Sequence, residues 1–383
     1  MKKLLTWASK RRFPYEPLIT VEISKSRLLH NLDEFRKLAP NRSIAPVLKS
    51  NAYGHGLFEI ADMLKDQSGI PFFVVDSYFE AVALRAHGIK TPLLIIGYTR
   101  PEMIMHSKLK KVSFTITNFE TLKAISSTKN ESSIHLKIDT GMRRQGILPE
   151  EIDEAIRLIK ANSKIHLDGI CSHLSDADSS NQFFTRNQIL KWNKIVDKFK
   201  TQFPQLHHIH LSNTDGHVFN SEIIATSSRL GLGLYGIIDN NGLEQSITPE
   251  PVLEMKTILT GIKKLRKGET IGYGNTFTAT ADMTVATIPV GYYEGVDRHL
   301  SNKGHMLVGE QRISCPIVGR VSMNITTIDV SKVDARIGTP VIVISNNISD
   351  PNSIPAIAKI SGDSIPYEMA VKIPPHLKRV MVK

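Results

Sequence analysis

Apolar residues fall in short β-branched runs through the first two thirds of the chain, with amphipathic stretches between them. The runs lie at 44–48, 72–75, 93–96, 113–116, 134–138, 167–171, 208–212 and 232–236. They are almost continuously apolar, as expected of strands covered on both faces. Between them Leu57, Ile60, Ala61 and Leu64 recur at the helical period. So do Ala81, Leu84 and Arg85, then Ile152, Ala155, Ile156 and Ile159, and then Ile189, Trp192, Ile195 and Val196. Strands alternating with helices predict a parallel sheet, and eight such strands predict a closed (β/α)8 barrel. An open doubly wound sheet is the rival arrangement.

After about residue 250 the pattern changes. Pro249 and Pro251 mark a junction, and strand-like runs follow at 252–259, 283–288, 305–308, 312–318, 326–330 and 340–344, without long helices between them. The division expected is an N-terminal extension (1–17), a barrel (18–250) and a mainly β domain (251–383). The run at 18–24 reads as a strand that pairs either in the barrel or with the second domain. The first helix is expected at 27–38.

The chain has 383 residues and is 41% hydrophobic, enough for two cored domains. Its two cysteines, Cys171 and Cys315, exclude a disulfide scaffold and a four-thiolate zinc site. Lys2 and Lys3 precede a short apolar stretch, but only Leu4 to Ala8 stand before Lys10, Arg11 and Arg12, too few residues for a secretory core. No apolar run spans 18 residues, so a cytoplasmic protein without membrane attachment is expected. The formal charge of +11 comes from scattered residues and has no nucleic-acid motif behind it.

In a barrel of this kind the chemistry sits at the C-terminal ends of the strands. Lys49 follows the first run, Asp139 to Arg144 the fifth, His173 the sixth, and Asn213 and Thr214 the seventh; Arg229 precedes the eighth. A lysine closing an apolar strand must have its ammonium paired, neutralised or used, and a desolvated lysine forms Schiff bases. Tyr53 and the Gly54-His55-Gly56 turn, and separately Thr214 with Arg229, Gly231 and Leu232, offer donors for an anion. A phosphate-bearing carbonyl cofactor would use both features. The histidines support a different chemistry: His208 and His210 share a strand face beside His173, a pattern that can bind zinc in a metal-dependent hydrolase. Asp176 and Asp178 are expected to cap the following helix.

The segments VLKSNAYGHG, LKIDTGMRRQG, SHLSDAD, HLSNTDG, SRLGLGLYG, IGYGNTF, IPVGYYEGVDR, GRVSMN and IPYEMAVKI occur in an order that resembles alanine racemases, from about residue 18 to the end. The resemblance implies a barrel plus β-domain enzyme that uses pyridoxal 5′-phosphate to interconvert L- and D-alanine, supplying D-alanine for peptidoglycan. It implies that Lys49 carries the cofactor as a Schiff base and is one base, with Tyr273 the other. Tyr53, Thr214, Gly231, Leu232 and Tyr367 would hold the phosphate. Arg229 would face the pyridine nitrogen with His210 behind it, and His173 would partner Tyr273. Arg144 and the Met323 backbone would meet the substrate carboxylate. Lys137, carbamylated in many members, would orient Arg144, and Tyr292 would stand at the entrance. A homodimer with shared sites is implied, because Lys49 and Tyr273 lie in different domains. Four positions depart from the usual pattern: Asn324 for aspartate, Tyr293-Glu294 for Ala-Asp, and Arg143 for glycine. These leave a broad-specificity or serine-accepting racemase as the alternative.

Overall fold

The computed structural model describes residues 16–238, 241–362 and 364–383. Residues 1–15, most of the expected N-terminal extension, lie outside them. The chain divides into two compact units, Lys25–Val252 and a second that joins Leu253–Val382 to residues 16–24. The first strand, β1 (Thr20–Ser24), therefore belongs to the second unit.

The first unit is the barrel. Its strands are β2 (Ser43–Pro46), β3 (Phe73–Val75), β4 (Leu93–Ile95), β5 (Val112–Ile116), β6 (Ser132–Lys137), β7 (Ile165–Cys171), β8 (His208–His210) and β9 (Ser227–Leu230). Strands β3 to β8 form a parallel sheet in sequence order, and β2 pairs in parallel with β9. A bridge between Val47 and Val74 joins β2 to β3, and the Thr226 N–H bond to Ile209 O at 2.9 Å joins β8 to β9. The eight strands thereby close. Seven of the eight expected runs carry barrel strands. The eighth does not: residues 232–235 form a 3-10 turn, and the strand is Ser227–Leu230. That segment, SSRL, is fully buried despite its polar residues, so a search for apolar runs passes over it. Arg229 therefore lies within the last strand.

Apolar stripes account for the surrounding helices. Leu57, Ile60, Ala61 and Leu64 are buried on the helix Leu57–Leu64, and Ile152, Ala155, Ile156 and Ile159 on Ile152–Ala161. The long helix Phe183–Gln202 buries Ile189, Trp192, Ile195 and Val196. Its N-cap is Gln182, so Asp176 and Asp178 do not cap it; the Asp176 carbonyl instead accepts from Thr185 Oγ1. The first helix is Lys25–Leu38.

In the second unit β1 lies between β10 (Leu253–Ile258), antiparallel to it, and the C-terminal strand Lys378–Val382, parallel to it. The next strands are β11 (Gly261–Leu265), β12 (Thr270–Ile271), β13 (Phe277–Thr278), β14 (Met283–Ile288), β15 (His305–Val308) and β16 (Ile313–Pro316). After them come β17 (Thr326–Asp329), β18 (Pro340–Ile344) and the C-terminal strand, β19. A six-stranded sheet runs β16-β15-β18-β10-β1-β19, and a three-stranded sheet combines β11, β14 and β17. A small hairpin joins β12 to β13. Two short helices that the strand pattern does not show, Ile354–Ile360 and Pro366–Val371, carry proline in their first turn. Among the described residues no helix is long and apolar enough to cross a membrane.

Candidate active site

Lys49 stands two residues past the Val47 bridge that ends β2 and opens an unusual turn. Ser50, Asn51, Ala52 and Tyr53 all have φ between 52° and 56°, and Gly54 follows at 83°. Four consecutive non-glycine residues are thus left-handed, at a cost of roughly 1–2 kcal/mol each. Such strain persists only where surrounding contacts over-determine it. Here the Ser50 N–H donates to Glu80 Oε1 at 2.7 Å, and Asn51 accepts from Leu57 N–H through Oδ1 and from Gly56 N–H through its carbonyl, both at 2.9 Å. Glu80 is itself fixed: it closes a capping box with Ser77, and its Oε2 accepts from Asp76 N–H at 2.8 Å. Lys49 is half-buried, and its pKa is lowered chiefly by desolvation. Asp76 and Glu80 oppose the shift, while Arg144 and Arg229 add to it.

Arg229 is fully engaged at one end. Its Nη1 reaches His210 Nδ1 and the His210 carbonyl, the latter at 3.0 Å; its Nη2 reaches the carbonyls of Ser172 and Leu211 and His173 Nδ1, at 2.7, 2.9 and 3.2 Å. Nε is the remaining donor. Guanidinium nitrogens only donate, so His210 and His173 both accept at Nδ1 and carry their proton on Nε2. Burial, reinforced by Arg229, holds the pKa of each well below the usual value, which keeps the rings neutral and the tautomers defined. His210 Nε2–H then donates to His135 Nδ1 at 2.8 Å. His135 is a functional neighbour that the linear pattern does not reveal. Its ring lies over Gly169, where an added Cβ would meet His135 Nδ1 at 2.8 Å, and the β6–β7 register shifts there. Both ring nitrogens of His210 are thereby engaged, and among the described residues no group of three or more His, Cys, Asp or Glu is placed to hold a metal ion.

Beyond β8 and β9 lies a cradle. Thr214 Oγ1 accepts from Gly233 N–H at 3.2 Å, and the N–H groups of Gly231 and Leu232 donate to no group among the described residues. A Cβ on Gly231 would stand 3.0 Å from the Tyr53 hydroxyl, so that glycine leaves backbone donors and a phenol facing one small space. The N–H groups of Gly231 and Leu232, converging without a protein acceptor, suit a phosphate. His217 braces the cradle by donating from Nδ1 to the carbonyls of Asn213 and Thr214 at 2.9 and 3.0 Å. The fit to a phosphorylated pyridine aldehyde is therefore good: a desolvated lysine, an anion cradle and an arginine with Nε still to donate occupy the same end of the barrel.

Lys137, at the end of β6, donates to Gln145 Oε1 at 3.0 Å. Its pKa is lowered chiefly by desolvation, with Arg229, Arg144 and Lys49 contributing. Arg144 is exposed, and Arg143 beside it is left-handed at φ 59°. In the second unit Tyr273 is 71% exposed on a 3-10 turn, Tyr292 and Met323 are also exposed, and Tyr367 is half-buried on the helix Pro366–Val371.

Residues 23–239 match the alanine racemase N-terminal domain and residues 252–381 the alanine racemase C-terminal domain. An alanine racemase of Fusobacterium nucleatum is 34% identical over 94% of this chain and 99% of its own length. One from Lactobacillus acidophilus is 32% identical over 96% and 98%. The alanine racemase of Clostridium difficile 630 superposes with a TM-score of 0.87 at 28% identity, covering 96% of each chain. Strand order, the lysine-bearing turn and these likenesses over both units agree: the chain belongs to the alanine racemase family.

Proposed function

We propose that this chain interconverts L- and D-alanine by passing the α-proton between Lys49 and Tyr273, and so supplies D-alanine for peptidoglycan. The observation that carries the reading is the strained turn that presents a desolvated Lys49 beside the anchored Arg229. The family depends on pyridoxal 5′-phosphate, which when bound supplies an electron sink for the α-carbon. Lys49 would hold it covalently; Tyr53, Thr214, Gly231, Leu232 and Tyr367 would hold its phosphate; Arg229, oriented by His210, would face the pyridine nitrogen with its remaining donor, Nε. Arginine does not release its protons, so a nitrogen it donates to would be left unprotonated.

Racemisation needs a proton removed from one face of the α-carbon and another delivered to the opposite face, hence two bases. The lowered pKa of Lys49 makes its amine available for one face. Tyr273 serves the other, with His173 Nε2–H as its partner. Arg144 and the Met323 N–H bind the substrate carboxylate. Carbamylation would turn the Lys137 cation into an anion suited to positioning Arg144. Tyr292 narrows the entrance. The exposure of Tyr273 supports a homodimer in which each site takes this tyrosine from the other subunit.

A racemisation assay over a panel of L-amino acids with added pyridoxal phosphate tests the reading. Turnover of alanine far above all others is expected, with serine a poor second. Equal rates on lysine or arginine would replace it with a broad-specificity racemase.

A further inference from the structure

Asn324 and Glu294, two of the departures noted in the resemblance above, meet in the structure. Asn324 Nδ2 donates to Glu294 Oε1 at 2.6 Å, and Glu294 Oε2 accepts from Gly291 N–H at 2.8 Å. Glu294 is buried, so its carboxylate needs such donors. One side chain thus ties the turn Tyr292–Glu294 to the segment 322–325. The backbones are already in contact: Tyr292 N–H donates to Ser322 O at 3.0 Å and Tyr293 N–H to Met323 O at 2.9 Å. A Cβ on Gly291 would come within 2.2 Å of Ser322 O. Ser322 N–H bonds back to Ile325 O at 2.9 Å and closes the segment on itself. Inside it the N–H groups of Met323 and Asn324 donate to no group among the described residues.

We propose that Glu294 and Asn324 form a positioning pair that serves substrate binding by aiming the Met323 N–H at the substrate carboxylate and holding Tyr292 at the entrance. The proposal rests on the role given to Met323 above. The two departures are complementary. A glutamate reaches across the turn, and an amide meets it with a donor. An aspartate at position 324 would instead place a second carboxylate against the first, and repulsion would open the segment that presents Met323. Neither side chain touches the reacting atoms; both act through the backbone.

The experiment compares N324D, N324A and the exchanged pair E294Q/N324D with the wild-type holoenzyme in steady-state kinetics on alanine and in thermal unfolding. In the exchanged pair the amide introduced at position 294 accepts from Gly291 N–H through its carbonyl. It donates through its nitrogen to the carboxylate introduced at position 324. N324D should raise KM about tenfold with kcat changed less than about twofold, since lost carboxylate binding affects substrate and transition state alike. N324A, which removes the donor without adding charge, should raise KM by less. E294Q/N324D should return KM and Tm close to wild type. A fall in Tm with KM unchanged makes the pair merely structural and overturns the proposal, as does failure of the exchange to rescue. Should N324D not fold, N324A and the exchanged pair decide by the same criteria. If the wild type racemises no alanine, the function proposed above fails and the positioning role falls with it; an active wild type whose exchanged pair does not recover KM fails the positioning role alone.

Discussion

Replacing Glu80 by alanine should release the turn that carries Lys49. Four left-handed residues store roughly 4–8 kcal/mol, and Glu80 is one of the few groups that hold them. Its carboxylate accepts from Ser50 N–H at 2.7 Å, Asp76 N–H at 2.8 Å and Ser77 N–H at 3.4 Å. Hydrogen bonds to a charged group contribute about 1.5–3 kcal/mol when well formed, and the 3.4 Å contact is weak. The site is half-exposed, so water replaces part of what is lost. The 3.4 Å contact is the Glu80 side of the capping box; the other side, Glu80 N–H to Ser77 Oγ at 3.2 Å, survives the substitution. Glu80→Ala should therefore destabilise the protein by about 2–3 kcal/mol, and Glu80→Gln, which keeps one acceptor, by about 1 kcal/mol. Urea unfolding measures the total, and amide exchange of residues 49–56 locates it. The same variants should bind pyridoxal phosphate more slowly to the apoprotein, because Lys49 no longer stays in place. A loss below about 0.5 kcal/mol in Glu80→Ala, or a larger loss with unchanged exchange at 49–56, would refute the assignment of Glu80 as the latch.

Three further predictions concern the same end of the barrel. His217 is fully buried with its pKa lowered to about 4, chiefly by desolvation, from 6.5. The unfolded chain then binds a proton that the native state refuses, so stability falls as pH drops from 6.5 towards 4, by roughly 3 kcal/mol from this residue; His217→Gln should flatten that acid limb in unfolding curves taken at several pH values. Gly231→Ala places a methyl 3.0 Å from the Tyr53 hydroxyl and should weaken inorganic phosphate and cofactor binding by about tenfold or more, read by calorimetry on the apoprotein; unchanged affinity would remove the cradle from the site. Competition labelling of the apoprotein should find the Lys49 amine titrating below the ordinary lysine range, and Asp76→Asn should lower it further, since Asp76 raises it; an upward shift in that variant would contradict the electrostatic account.

Much of the barrel is legible in the linear pattern because parallel strands buried on both faces must be apolar. Phe73–Val75 and Leu93–Ile95 illustrate this, each being buried along its whole length. The last strand escapes because Ser227, Ser228 and Arg229 are buried for the sake of Arg229, whose donors are met by carbonyls of other strands rather than by apolar neighbours. Lys49 and Arg229 stand out by type and position. The left-handed run does not, since only Gly54 and Gly56 hint at it and Ser, Asn, Ala and Tyr have no shared preference for that conformation. Glu80 and His135 are equally hidden: each acts across the fold, on Ser50 and on His210. A glycine opposite a strand histidine, as Gly169 is to His135, is the one local signal for the latter. Asn324 and Glu294 are visible as departures, but only the 2.6 Å contact explains why they occur together.

Two-base exchange is the central claim, and the fate of the α-proton tests it most directly. L-alanine is incubated with the enzyme in deuterium oxide, and the first D-alanine formed is analysed by mass spectrometry. Separate bases on opposite faces predict that the product carries solvent deuterium at the α-carbon almost completely. Product that retains the substrate's own α-proton would mean that one base carries it across, and would contradict the roles given to Lys49 and Tyr273.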